Sequence, residues 1–331
     1  MTTPTVRRPR RRDLPSLVAA AAACAGPALA QGGPPRRTTI VVPYSPGNGL
    51  DLLARQYAEE LQAQLGRPFV VENRAGAAGV VGTAYAARAP ADGTTLLFTA
   101  HPPFAIAPLT FDVPPYDPLS GFVPVTRVGS VPLVLVTAAG SPFRDVPGMV
   151  AALRAHPDAG TYASAGRGAP GHLYGEALNE ATGLALRHVP YRETGQALTD
   201  VLSGNVLVSF VSVTAAIQML RDGGLRALAV GSRDRLDALP DVPTLAEATG
   251  RPGFGAGVWY GFFAPAGTSP AAAAALHAEI ERASRAPRLA GFMERAMMIR
   301  DLRDPAAFAR ALAEDVEAAR RLGARTELRE R

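Results

Sequence analysis

The chain has 331 residues, a formal net charge of +5, one cysteine and no lysine. That length suits two domains of ordinary size, and a lone cysteine excludes an internal disulfide or a thiolate metal site. Residues 1–30 hold five arginines and one aspartate. Without them the net charge is about +1, so the basic balance gives no argument for a nucleic-acid partner.

Arg7, Arg8, Arg10, Arg11 and Arg12 form a basic head, followed by the apolar run LVAAAAACAG and then Ala28-Leu29-Ala30 before Gln31. This order reads as a secretory signal over residues 1–30, and the run is too short for a permanent membrane span. The Arg-Arg pair before Asp13-Leu14 follows the twin-arginine export pattern but departs from it at Pro15. Cys24 has the small neighbours of a lipoprotein box, with Ala21 where a larger aliphatic residue belongs. The sequence therefore predicts an exported protein held together by its core alone, in the periplasm.

TTIVVPY (38–44) is a short β-branched run, after which Leu53, Tyr57, Leu61 and Leu65 recur four apart, as on one helix face, and Gly66 stops the helix. PFVVEN (68–73) predicts a second strand, NRAGAAGVVGTAYAARA a glycine turn into a helix, and TTLLFTA (94–100) a third strand. Residues 102–127 are proline-rich and read as irregular. VPLVLVT (131–137) is an apolar strand that crosses into a second domain. Helix 146–155, strand GTYASA, helix HLYGEALNEATG, strand ALRHVPY, a helix with Ala197, Leu198 and Leu202, strand NVLVSFVS, a helix with Ile217 and Leu220, and strand LRALAVGS follow. VWYGFFAP (258–265) is a strand that crosses back, and helices over 270–284 and 304–322 close the chain. The expected architecture is α/β: two lobes joined by two crossing strands, with a ligand cleft between them. Lobe 1 is placed at 36–135 and 258–331, and lobe 2 at 136–257.

Each lobe has a glycine-rich strand-to-helix turn, SPGNGLD (45–51) and SAGRGAPGHL (164–173). Glycines let backbone N–H groups point inward, and a helix start carries partial positive charge, so each turn suits a carboxylate or phosphate. Both lie where strands end, the side on which open α/β sheets take ligands. Gly166, Gly168 and Gly171 also spell G-x-G-x-x-G, with Glu193 about twenty residues on, as in a dinucleotide site. Arg167 between the first two glycines, Pro170 at the helix start and the export signal weigh against a cofactor, and none is expected. No G-x-S-x-G or H-E-x-x-H motif is present, and His101, His156, His172, His188 and His277 lack metal-ligand spacing. The sequence thus gives no catalytic or metal site.

Arg167 is the sharpest ligand candidate, because a guanidinium in an anion loop can meet a carboxylate bidentately. The candidate set in the first lobe is Tyr44, Ser45, Pro46, Gly47, Asn48, Gly49 and Asp51, with Thr99 and His101 at the end of the third strand. In the second lobe it is Ser164, Ala165, Gly166, Arg167, Gly168, Ala169 and His172, with Tyr191 and Arg192 after strand ALRHVPY and Ser212 after NVLVSFVS. Asp51 reads as a helix cap and His172 and His188 as packing or capping residues when judged alone.

These residues belong to longer matching stretches. VVPYSPGNGLDLLAR, GRPFVVENRAGAAGVVG, ADGTTLLFT, FVPVTRVGSVPLVLV, YASAGRGAPGHL, HVPYRETGQALTDVLSGNV, LRALAVGSRDRLDALPDVPTLAE and WYGFFAPAGTSP run across nearly the whole chain after the signal. With them the chain resembles the substrate-binding receptors of tripartite tricarboxylate transporters, the Bug proteins. The resemblance implies a type 2 periplasmic binding protein that closes on a small carboxylate and hands it to membrane permease subunits, without catalysis and as a monomer. In the family the first loop reads P-G-G-x-[ST]-D; here Pro46, Gly47, Gly49 and Asp51 match, while Asn48 and Leu50 depart. The second loop commonly reads S-x-G-x-G-S; Ser164, Gly166 and Gly168 match, while Arg167 and Ala169 depart. Many members carry an acid where this chain has Val211-Ser212. The departures suggest a ligand other than the common dicarboxylates, an aromatic or more strongly anionic acid. A sensor that reports to a membrane signalling partner, or an exported dinucleotide-dependent enzyme, are the alternatives.

Overall fold

The computed structural model describes residues 37–105, 115–156, 159–167, 169–255 and 257–323. The expected signal, Cys24 and Gly168 lie outside the described residues.

The first strand, β1 (Thr38–Val42), pairs in parallel with β2 (Phe69–Asn73) and β3 (Thr95–Ala100). Ile40, Val41 and Val42 are fully buried, as a parallel strand covered on both faces requires. Helix α1 (Gly49–Leu65) starts where the Asn48 side chain accepts the Asp51 N–H and stops at Gly66, whose φ of 64° is the left-handed helix end that glycine tolerates. Its Leu53, Tyr57 and Leu61 are buried on one side of the sheet. There Phe98 stacks on Phe262 at 4.3 Å, and the Tyr57 ring meets Phe262 edge-on at 5.1 Å. Helices α2 (Val80–Ala87) and α3 (Pro102–Ala105) follow β2 and β3.

The longest strand is β4, which runs unbroken from Phe122 to Ala138. Its first half pairs with β9 (Gly257–Pro265) and β10 (Ile299–Arg303), and its second half with β7 (Val208–Ser212) and β8 (Leu225–Val230). Residues 122–127 are therefore strand and not irregular. Pro124 is tolerated because pairing with β9 shifts register between Pro124 and Thr126, and a second shift falls between Arg127 and Gly129; Pro132 is the last β4 residue paired with β9. The strand order is β2-β1-β3-β9-β4-β7-β5-β6, where β5 is Thr161–Ser164 and β6 is Arg187–Pro190, with β8 and β10 also on β4.

The second half of the sheet adds β5 (Thr161–Ser164) and β6 (Arg187–Pro190). Helices α4 (Val146–Ala155), α5 (Pro170–Thr182) and α8 (Leu245–Thr249) cover one face, burying Met149, Leu153, Leu178 and Leu245. Helices α6 (Thr194–Leu202) and α7 (Val213–Arg221) cover the other through Leu198, Val201 and Ala216. The chain ends with α9 (Pro270–Ser284), α10 (Pro287–Arg295) and α11 (Pro305–Gly323), which return to the first half of the sheet. Tyr57 and Ser284 share a 2.8 Å hydrogen bond that ties α1 to α9, and Phe308 of α11 packs on Trp259 and Phe263. The result is two α/β lobes spanned by β4 and β9. Among the described residues, no helix is long and apolar enough to cross a membrane.

Candidate ligand-binding site

Side chains alternate across a strand, so β4 and β9 present different residues to their two faces. Val131, Leu133, Val258 and Tyr260 line a cavity of about 410 Å³ on one face, whereas Ser130, Pro132, Gly257 and Trp259 line another cavity on the opposite face. The first of these is bounded by Gly49 at the start of α1 and by Ser212, Thr214 and Ala215 at the start of α7. An adjoining space of about 180 Å³ shares Leu133, Ser212 and Val258 and reaches Ala165, Ala169, Gly171 and Thr194 at the starts of α5 and α6. Four helix N-termini thus border these two adjoining spaces beside the crossing strands.

Their caps differ. Asn48 caps α1 and Ser212 caps α7, accepting the Ala215 N–H at 3.3 Å. The positions before α5 and α6, Ala169 and Glu193, supply no side-chain cap. An uncapped helix start leaves N–H donors and the positive end of the dipole for a ligand; α6 offers the fuller set, because Pro170, the first residue of α5, has no N–H and the His172 N–H bonds the Ala169 carbonyl.

The first-lobe loop is organised around Asp51. Its carboxylate is buried and accepts from the Gly47 N–H at 2.8 Å, Asn73 Nδ2 at 2.9 Å and Arg55 Nε at 3.0 Å. Burial alone would raise its pKa, but the hydrogen bonds from Arg55, Gly47 and Asn73 outweigh this and hold the carboxyl below the usual aspartate range. Asp51 and Asn48 therefore shape the loop, leaving Ser45, Pro46, Gly47 and Gly49 exposed on it. Tyr44 points its hydroxyl inward near Thr99, and burial first of all, with Tyr260 beside it, raises that hydroxyl's pKa. Thr99 is fully buried.

The second-lobe loop is built on neutral groups. Ser164 Oγ lies 2.7 Å from His188 Nε2 and 2.9 Å from the Gly166 carbonyl, and Gly166 takes a φ of 114°. The His188 ring stacks on His172 at 4.0 Å and on Tyr162 at 4.9 Å. Burial first, then the charge of Arg167, pushes the His172 pKa down to about 4. Burial, His172 and Arg167 push His188 down to about 3, so both rings are neutral near pH 7. Arg167 is exposed on the loop above them.

The structure brings Gly49, Ala165, Ala169 and Ser212 to the cavity walls. It does not bring His101 there: that ring stands edge-on to Trp259 and lines the cavity behind the crossing strands. Tyr191 is turned to α6, donating to Asp200 Oδ2 at 2.5 Å, and Arg192 is exposed. The sequence reading missed Thr194, Thr214 and Tyr260. Thr194 opens a helix after a strand, the same signal that marked the two glycine loops, while Tyr260 follows from strand alternation once the phase is known. Thr214 donates to the Ala296 carbonyl at 2.9 Å, joining α7 to the end of α10 across this region.

A paired-lobe α/β body with helix starts facing the crossing strands is the architecture of a periplasmic binding protein. Residues 53–325 match the sequence profile of the tripartite tricarboxylate transporter family receptors, and the chain belongs to that family. It is 39% identical over 265 residues to protein BugT of Bordetella pertussis, covering 80% of this chain and 81% of BugT. The structure of periplasmic binding protein BugD is similar with a TM-score of 0.71 and 30% identity, over 90% of this chain and 100% of that one. MatC from Rhodopseudomonas palustris, solved with bound malate, gives a TM-score of 0.70 at 29% identity, over 88% of this chain and 100% of that one. The family consists of solute-binding receptors of the periplasm, not enzymes.

Proposed function

We propose that this protein captures a small organic carboxylate between its lobes and delivers it to the permease subunits of a tripartite tricarboxylate transporter. The observation that carries this reading is the pair of uncapped helix starts, α5 and α6, opening onto a cavity that the crossing strands wall with apolar residues. Backbone N–H groups in such a place make charge-assisted hydrogen bonds to a carboxylate, and Arg167 adds a guanidinium to the same loop. The bound malate of MatC is in keeping with that chemistry. Val131, Leu133, Val258, Phe292 and Met298 favour a ligand with an apolar body behind its carboxylate. Residues 1–30 act as the export signal, and the lobes divide as 36–135 with 258–331 against 136–257.

A thermal-shift screen over mono-, di-, tri- and aromatic carboxylates tests the reading. An acid with an aliphatic or aromatic body is expected to raise the melting temperature more than citrate does. A screen in which no carboxylate raises it would overturn the proposal.

A further inference from the structure

Helix α10 ends on a residue that helix ends seldom tolerate. The Met298 N–H bonds back to the Met293 carbonyl and the Met297 N–H to the Glu294 carbonyl, each at 2.9 Å, which is the Schellman closure of a helix. That closure puts the first residue past the cap in the left-handed region, and Met297 accordingly has a φ of 51°. Helices α1, α5 and α8 place Gly66, Gly183 and Gly250 at their left-handed ends, with φ of 64°, 71° and 65°. A residue with a Cβ is strained there and glycine is not. Methionine at this position costs stability locally, and what offsets the cost lies in what its side chain touches.

The side chain leaves its own lobe. Met297 is half-buried against the apolar cluster of the second lobe, which holds Val134, Val213 and Ala216. Its neighbours stay with the first lobe. Met298 is buried in the cluster of Leu53, Tyr57 and Phe262, and Ala296 packs against that same cluster. The backbone also bridges, because the Ala296 carbonyl accepts the Thr214 hydroxyl at 2.9 Å. One short turn, Ala296 to Met298, is thus anchored in the first lobe and fastened to the second by a hydrogen bond and an apolar contact.

Its position gives this turn leverage. The front cavity has the crossing strands as its floor, Thr214 and Ala215 on the second-lobe side, and Phe292, Ala296 and Met298 on the first-lobe side. Thr214 and Ala296 meet across that cavity, so a rotation of the lobes about β4 and β9 that widens it must part them. Met297 is not among the lining residues, so its side chain acts on a ligand there only through the lobes.

We propose that Thr214 and Met297 are positioning residues for ligand capture: they latch α7 to the α10–β10 turn, hold the lobes together and set how tightly the cleft keeps its carboxylate. The effect on affinity rests on the proposed closure of the lobes around a carboxylate. A ligand that binds one of two conformations loses apparent affinity in proportion to the molecules outside that conformation, so a latch favouring the closed form tightens binding without touching the ligand.

Pulsed electron paramagnetic resonance distances between nitroxides at Leu52→Cys on α1 and Gln218→Cys on α7, both exposed positions, test the latch without any ligand in a Cys24→Ser background. Thr214→Val and Met297→Gly are each expected to move the distances to longer values, whereas Thr214→Ser, which keeps the donor, leaves them as in wild type. Unchanged distances in both Thr214→Val and Met297→Gly overturn the proposal. Calorimetry with malate and adipate reads the second consequence: the better-bound acid should bind Met297→Gly at least about threefold more weakly. Glycine relieves the left-handed strain as it removes the side chain, so Met297→Gly is expected to melt close to wild type. Kept stability with weakened binding and parted lobes is the signature of a latch. A lower melting temperature with the lobes unparted would assign Met297 to folding alone and overturn it. If neither acid binds wild type, the proposed function fails for these acids and the distances alone decide the latch.

Discussion

The two glycine-rich loops, one in each lobe, look alike in sequence but are held by opposite means. The first is pinned by an ionised carboxylate, Asp51, whose oxygens are shared among Gly47, Asn73 and Arg55. The second rests on a stack of two neutral imidazoles, with Ser164 bound to the nearer one. Glycine-rich turns give the backbone its freedom in both, but what fixes that freedom into one shape is charge in one lobe and neutrality in the other. The lobes should therefore fail under different conditions.

The largest effect is expected from Asp51→Ala, which leaves the Gly47 N–H and Asn73 without their acceptor and Arg55 without its partner. Loss of a buried, hydrogen-bonded charge of this kind costs about 3 kcal/mol. Urea denaturation should show it, and a change below about 1 kcal/mol would mean that Asp51 does not hold the loop. Acid is the next lever. The folded pKa values of His172 and His188, about 4 and about 3, lie below the ordinary 6.5, so the unfolded chain binds protons first. Stability is then present in full above pH 6.5 and falls as pH drops toward 4, by about 1–2 kcal/mol once solvent screening at the partly exposed His188 is allowed for. Asp51, with its pKa lowered, contributes stability that is lost only below the ordinary aspartate pKa of 3.8. A His172→Leu, His188→Phe double variant should flatten the upper part of the pH–stability curve and leave the lower part in place; an unchanged upper part would break the contrast.

Arg167→Ala is expected to weaken carboxylate binding by more than about tenfold, or 1.4 kcal/mol, with little change in stability because the side chain is exposed. An unchanged dissociation constant in calorimetry would reduce Arg167 to a solvated loop charge. The smallest effect belongs to Ser212→Ala, which removes the α7 cap and should lower stability by about 1 kcal/mol. A thermal melt that does not move would show that the cap is redundant.

Most of the alternating β/α order was legible, because β-branched runs and helix stops such as Gly66 are local signals. The stretch from Phe122 to Arg127 was not: Pro124 reads as a breaker, and only pairing with β9 and β10 makes it strand. Helix α10 and strand β10 were also missed, since IRDLR carries three charges in five residues and shows no clean alternation. The glycine loops and Ser212 could be seen from residue type and position. The roles of their neighbours could not. His101 turns to the rear because of strand phase, and the His172–His188 stack joins a helix to a strand, facts set by tertiary pairing and not by spacing along the chain.

The register shifts on β4 have a reach beyond their own position. They set which of two interleaved residue sets faces which lobe opening downstream. Each shift, at Pro124–Thr126 and at Arg127–Gly129, sets one extra β4 residue against β9, and the two together restore the alternation that puts Val131 and Leu133 on one side as an apolar bed. Dropping one residue there would invert every side chain that follows. Ser130 and Pro132 would come to the front, the bed would go to the arginine-lined rear, and a receptor with intact helices and loops would have exchanged its two interiors. Which side of β4 carries the apolar bed is thus encoded in a phase, set several residues before Val131.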